Sequence, residues 1–172
     1  FETKNCNDDY QQLIWYNAKK NLKKSLSKNL TFTKLPSTDE KIAYDIIAQN
    51  RNERGFPLRL TFEQLKETGS IIPIDYFIVN DTDNSIGAAI VFHLSKNVVR
   101  VVYWGDLPEY SELKTMNFLS FNVFNYYKDL GIEIIDIGHS TEDSIPNNGL
   151  CEFKESIGCS IGILYEFYKK FD

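Results

Sequence analysis

Leu22, Leu26 and Leu30 recur every four positions, lysines fill the other faces, and little Gly or Pro intervenes, so the pattern predicts a helix over Asp8–Leu30. Thr31–Leu35 carries Thr and Phe, stops at Pro36 and reads as a strand. Ser37-Thr38-Asp39-Glu40 has the form of a capping box, with Ser37 at the cap and Glu40 three residues on. The helix expected after it places Ile42, Ala43, Ile46 and Ile47 on one face and ends at Gly55 and Pro57. Thr61–Gln64 repeats the capping pattern for a shorter helix that stops at Gly69, and Pro73 bars its continuation.

From Ile74 the period shortens to that of strands. Ile74–Val79, Ile86–Leu94 and Val98–Trp104 are rich in Ile, Val, Phe and Tyr and are separated by short polar breaks, as in an antiparallel meander. A helix follows over Ser111–Leu130, with Leu113, Met116, Val123, Tyr127 and Leu130 on one side and Gly131 as its stop. Ile132–Gly138 is the next strand, and a strand, helix, strand run of this length implies a right-handed crossover to a parallel neighbour. The turn Pro146-Asn147-Asn148-Gly149 leads into a short helix ending at Gly158. Ser160–Phe171 alternates Ile161, Ile163, Tyr165 and Phe167 and reads as a last strand. This order describes an α/β (α+β) domain with a mixed sheet and helices on both faces.

Composition supports one compact domain over 1–172, a leading basic helix to residue 30 followed by a core over 31–172. The chain is 42% hydrophobic and 14% aromatic, enough for a sizeable core. Its longest apolar stretches, such as Gly87–Phe92, are too short to span a membrane. Phe1-Glu2-Thr3-Lys4 has no apolar leader region, and a chain that opens on Phe rather than Met reads as a piece of a longer protein. Cys6, Cys151 and Cys159 lack paired spacing, which argues against disulfides and zinc and for a reducing cytoplasm. With only His93 and His139, a histidine-rich metal centre is not expected.

The net charge of −5 disfavours bulk nucleic-acid binding, yet it is uneven. Residues 1–34 hold seven lysines against three acids, a local balance of +4 that leaves −9 on the remainder. Lys19, Lys20, Lys23, Lys24 and Lys28 fall in one ten-residue window. They could meet an RNA backbone, or form the solvated face of an amphipathic helix whose packing face takes in Tyr10, Trp15 and Tyr16.

Three segments resemble the FemAB-like branch of the GNAT N-acyltransferases. Asn17–Lys24 followed by Asn29-Leu30-Thr31-Phe32 is similar to the basic helix leading into their acyltransferase half. Asn50–Leu58 resembles the end of their first core helix. Ile135-Asp136-Ile137-Gly138, Asn147-Asn148-Gly149-Leu150 and Phe153-Lys154-Glu155-Ser156-Ile157-Gly158 are similar to their closing strand, loop and "FK…G" helix. The resemblance implies a mostly antiparallel sheet with a parallel, splayed central strand pair. It also implies transfer of an acyl or aminoacyl group from acetyl-CoA or aminoacyl-tRNA to a small-molecule amine, with no tightly bound cofactor, and a second such half upstream. A tRNA donor would engage the lysines of residues 19–28. One departure concerns the phosphate loop of the acetyl-CoA-using members: Trp104–Ser111 has one Gly, a Pro without an N–H, and the acids Asp106 and Glu109. A non-catalytic GNAT-shaped domain that binds a ligand or a partner is therefore the alternative.

By the same resemblance the gap lies between Val102–Gly105 and Ile137–Ser140, where backbone N–H groups could polarise a carbonyl. Tyr103, Trp104, Asp136, His139 and Asp106 could reach it. His139 is the first candidate for the base, being able to titrate near neutrality, or else a polar residue starting a loop. Asp136, set among isoleucines, is a structural anchor or an acid/base. With Tyr103 these make the candidate catalytic set. Val102, Trp104, Gly105, Asn147, Asn148 and Lys154 are the candidates for holding the donor. Asn147 and Asn148 are also turn formers, and Lys154 is equally an exposed helix lysine.

Overall fold

The computed structural model describes residues 1–7, 9–142, 144–165 and 167–170. After a 3-10 turn at Thr3–Asn5, the elements are α1 (Tyr10–Leu13), α2 (Tyr16–Leu26), β1 (Leu30–Lys34), α3 (Glu40–Glu53) and α4 (Phe62–Gly69). The meander β2 (Ile74–Asp81), β3 (Asn84–His93) and β4 (Val98–Asp106) follows. A 3-10 turn at Pro108–Leu113 precedes α5 (Thr115–Asp129), β5 (Ile134–Asp136), a small hairpin of β6 (Thr141–Glu142) and β7 (Ile145–Pro146), and α6 (Asn148–Ser156). The main sheet runs β1-β2-β3-β4-β5, antiparallel except for the parallel β4–β5 pair.

Alternating side chains give the sheet two cores, as period two requires. On one face Tyr76, Ile78, Ala88 and Ile90 pack against Ala43, Ile46 and Ile47 of α3 and Leu65 of α4. On the other, Phe77, Val79, Ala89, Val91, Val99 and Val101 pack against α5 and the N-terminal helices. The expectation of helices on both faces of a mixed sheet thus holds.

Several expected elements change where tertiary contacts outweigh local pattern. The N-terminal helix breaks at Ile14 and Trp15, both extended, because the Trp15 N–H donates to the Ser156 carbonyl and the Tyr10 hydroxyl to that of Ile157. Its expected start, Asp8, lies outside the described residues. Tyr10 is buried as expected, but Trp15 and Tyr16 face solvent, as does Leu26. Ser37 caps nothing: a turn closed by Asp39 N–H on the Pro36 carbonyl moves the start of α3 to Glu40, with Asp39 at the cap position, and Ile42 is exposed. The Thr61–Gln64 box forms in full.

Pro108 starts a separate 3-10 turn, and Lys114 at φ 58° divides it from α5, so the crossover helix begins at Thr115 rather than Ser111. Leu130 lies beyond its end and is exposed. β5 is shorter than Ile132–Gly138, because the Asp136 carboxylate takes the Gly138 N–H at 2.8 Å and Gly138 turns at φ +72°. The last expected strand is absent: Ser160–Tyr165 and Phe167–Lys170 form no ladder, and Phe171 lies outside the described residues. The outer edge of β5 is already taken by Phe1 and Thr3, which exchange backbone hydrogen bonds with Ile135 and Glu133.

Candidate functional site

The parallel ladder is short. Val98 pairs with Ile134, Val99 with Ile135 and Arg100 with Asp136, and there it stops. β4 continues to Asp106 with β3 as its sole ladder partner among the described residues. Tyr103 pairs with Ile90 and Val101 with Val91, so Val102 is the extra residue of a bulge. A bulge bends its strand and increases the local twist. Its position, two residues past the last β4–β5 pair, turns β4 away just as Gly138 turns the chain after β5. The ladder therefore ends at Arg100 and Asp136, and beyond it Val101–Asp106 and Ile137–Ser140 part at the C-terminal ends of the two strands, which makes the gap between them the candidate cleft.

No protein-family model matches the chain, and no curated protein matches it. Solved structures do match. FemX has a TM-score of 0.72 at 11% identity, over 88% of this chain; the chain spans 55% of the length of FemX. AAC(6')-Iy, solved in complex with the bisubstrate analog CoA-S-monomethyl-acetylneamine, has a TM-score of 0.61 at 13% identity, over 83% of this chain and 99% of that one. An acetyltransferase of the GNAT family from Staphylococcus aureus Mu50 has a TM-score of 0.50 at 15% identity, over 62% and 70% of the two chains. This chain has the GNAT fold. At these identities the likeness is one of fold.

Within the GNAT fold of this chain, α6 supports the β5 side of the cleft. Lys154, buried in its last turn, donates to the carbonyls of Gly138 and His139, both at 2.9 Å. Burial lowers the pKa of this ammonium, against the opposing pull of Cys159 and Asp136. Phe153 meets Trp104 edge-on at a centroid distance of 6.0 Å, so the two rings join α6 to β4. Asn147 caps α6 through its side chain on the Leu150 N–H, and its own N–H donates to Ser140. Asn148, the first residue of α6, is exposed beside it.

The expected catalytic residues lie apart. His139 is exposed at the rim of the cleft and enters the network through its carbonyl, which Lys154 holds. Asp136 behaves as an anchor, with Oδ1 on the Gly138 N–H and Oδ2 3.2 Å from Arg100 Nε. Tyr103 points to the opposite sheet face, toward the α3 core. His93 sits at the far end of the sheet, its Nε2 2.7 Å from Asp75, which also takes the Tyr127 hydroxyl and Lys34.

Asp106, already a candidate in the sequence, gains a partner at this end of β4 that the sequence did not single out, Asn50. Asp106 ends β4, and burial raises the pKa of its carboxyl although Arg54 and Lys114 pull the other way. Asn50 reaches from α3 to donate to the Asp106 carbonyl at 2.6 Å. A Cβ on Gly105 would lie 2.9 Å from Asn50 Oδ1, so the glycine makes room for this contact. Where the sequence departs from the usual phosphate loop, the chain forms the 3-10 turn Pro108–Leu113. Two cavities, of about 260 and 310 Å³, lie elsewhere, beside α4 at Glu40, Lys66 and Tyr76 and beside Thr3 and Glu133. Among the described residues no cluster of His, Cys, Asp and Glu is suited to a metal.

Proposed function

We propose that this chain is an acyltransferase domain that moves an acyl or aminoacyl group to an amine in the cleft between β4 and β5. The observation that carries the reading is the divergence of the two parallel strands after three pairs, at the bulge of Val102. Backbone N–H groups along Val102–Gly105 would polarise the donor carbonyl, and an amine would attack it. The tetrahedral oxyanion collapses with loss of a thiolate or a ribose oxygen, which takes up a proton. The proton lost by the amine needs a base. Asp106 suits this role because its carboxyl titrates nearer neutrality than an ordinary carboxylate. His139 at the rim is the second candidate, and Tyr103 and Asp136 remain as supporting groups. Lys154 would hold the loop after β5 and place positive charge near the oxyanion or the donor phosphates, with Trp104, Asn147 and Asn148 along the donor arm.

Two observations bear on the donor class, the solved complex of a structural neighbour and the turn at Pro108–Leu113. The complex of AAC(6')-Iy with a CoA-based analog supports a CoA-type donor. The poor phosphate loop favours an aminoacyl ester, or a ligand-binding domain without catalysis. Calorimetry with acetyl-CoA and CoA tests this. Saturable micromolar binding that is weakened by Lys154→Met supports the CoA-type donor. No binding to folded protein removes it, and transfer from aminoacyl-tRNA to an amine would then decide between catalysis and its absence.

A further inference from the structure

α2 turns Ala18, Leu22 and Ser25 inward, with Ile14 just before it. Its opposite side is a stripe of Tyr16, Lys20 and Lys23, bordered by Trp15, Lys19 and Leu26. Four large apolar side chains along α2 and just before it are exposed: Leu13 is 50% exposed, Trp15 48%, Tyr16 79% and Leu26 45%. Among the described residues Lys19, Lys20, Lys23 and Lys28 form no salt bridge, whereas Lys24 pairs with Glu112 at 2.9 Å. The four lysines therefore project uncompensated charge from a body that is otherwise strongly acidic.

We propose that this face, Leu13, Trp15, Tyr16, Leu26 and the lysines of α2 and its C-terminal end, docks on an anionic lipid bilayer. Charge complementarity selects an anionic partner, and the apolar residues select among such partners. A nucleic-acid backbone would occupy the lysines and could stack on Trp15 or Tyr16, but it offers nothing to Leu13 and Leu26. The headgroup boundary of a bilayer takes up all of these groups at once. Trp and Tyr favour that boundary, Leu enters the acyl edge, and Lys stays among anionic headgroups. No helix among the described residues is long and apolar enough to cross a membrane, so the contact is with the surface.

The geometry also relates this face to the cleft. Glu112, the partner of Lys24, belongs to the 3-10 turn that follows β4, so a flank of α2 beside the docked face lies against the end of the sheet where the strands diverge. If the acyl-transfer reading holds, docking would present the cleft to amines held at the lipid surface.

Co-sedimentation of the full chain with vesicles tests the docking without any acyl donor, so its failure is distinct from failure of the transfer reading. The chain is expected to bind vesicles of two parts phosphatidylcholine to one part phosphatidylglycerol, not phosphatidylcholine alone, and to be released by concentrated salt. Lys20→Glu with Lys23→Glu should weaken binding at least about tenfold, given the pull of each lysine on an anionic surface. Binding should shift tryptophan fluorescence to the blue, and Trp15→Phe, which keeps Trp104, should abolish the shift. Equal binding to both vesicle types, a shift that survives Trp15→Phe, or no binding by the unaltered chain overturns the proposal. So does binding of a tRNA mixture that is lost in the lysine variant and unchanged in Leu13→Ser, when vesicles are not bound.

Discussion

Asp75 and Asp106 both lose much of their water in the folded chain, and their surroundings push them in opposite directions. For Asp75, burial works to raise the pKa, but hydrogen bonds from Lys34, His93 and Tyr127 outweigh it and hold the carboxyl below its ordinary value. A depressed pKa means that the carboxylate stabilises the fold above the ordinary value and loses that contribution as pH falls through the lower one. Asp75→Ala should destabilise the chain by roughly 1–3 kcal/mol at neutral pH, since it leaves the buried Tyr127 hydroxyl without its acceptor. Denaturant titrations of both proteins should show this gap as constant down to about pH 4 and shrinking below it. Asp106 has the reverse sign. Burial raises its pKa, so its charge costs stability once pH exceeds the ordinary carboxylate value. Asp106→Asn should therefore melt at the same temperature or higher at neutral pH, yet lose about 10²–10⁴-fold in transfer rate if Asp106 is the base. A lowered melting temperature would overturn the stability argument, and an unchanged rate would remove Asp106 from the mechanism.

At the scale of elements, the cleft depends on how β4 meets α3. Gly105→Ala places a methyl group against Asn50 and should cost about 1–3 kcal/mol, the usual penalty for overpacking. Removing Asn50 removes the clash, so in the Asn50→Ala background the same substitution should cost much less. A double-mutant cycle by denaturant unfolding measures this coupling, and additive costs would show that the strain lies elsewhere. The contact also marks what the sequence could not reveal. Asn50 and Asp106 are 56 residues apart and share no local pattern. Nor could the bulge at Val102 be seen, because Val98–Trp104 reads as one uniform strand. Elements set by local chemistry were legible: the Thr61–Gln64 box and the meander form as their residues suggest. The Ser37–Glu40 look-alike failed because a backbone turn took the place of the cap. The resemblance pointed to Trp104 on β4 and to Lys154 on α6, and offered both His139 and Asp106 at the gap, but it did not show that Lys154 is buried against the carbonyls of Gly138 and His139.

For the whole molecule, periodicity misled at the C-terminal segment, whose alternation is that of a strand but whose side chains bury little. Ile161, Ile163, Leu164, Tyr165, Phe167 and Tyr168 are between 71% and 90% exposed. Alternation specifies a strand only when the segment meets a sheet edge free to receive it, and the edge at β5 is already paired with the N-terminal residues. The core closes before this segment, at Ile157 and Cys159, and Gly158 packs near Ile14 and Tyr10. Ending the chain after Ser160 should therefore change the unfolding free energy by no more than about 0.5 kcal/mol, the range of surface changes. The same truncation should reduce self-association, because an exposed run of apolar β-forming residues is a template for pairing between chains. Denaturant unfolding and sedimentation velocity on the two lengths separate these effects. A loss of several kcal/mol would show that the segment packs on the domain in solution, whereas unchanged stability with less association would show that its apolar face is turned outward.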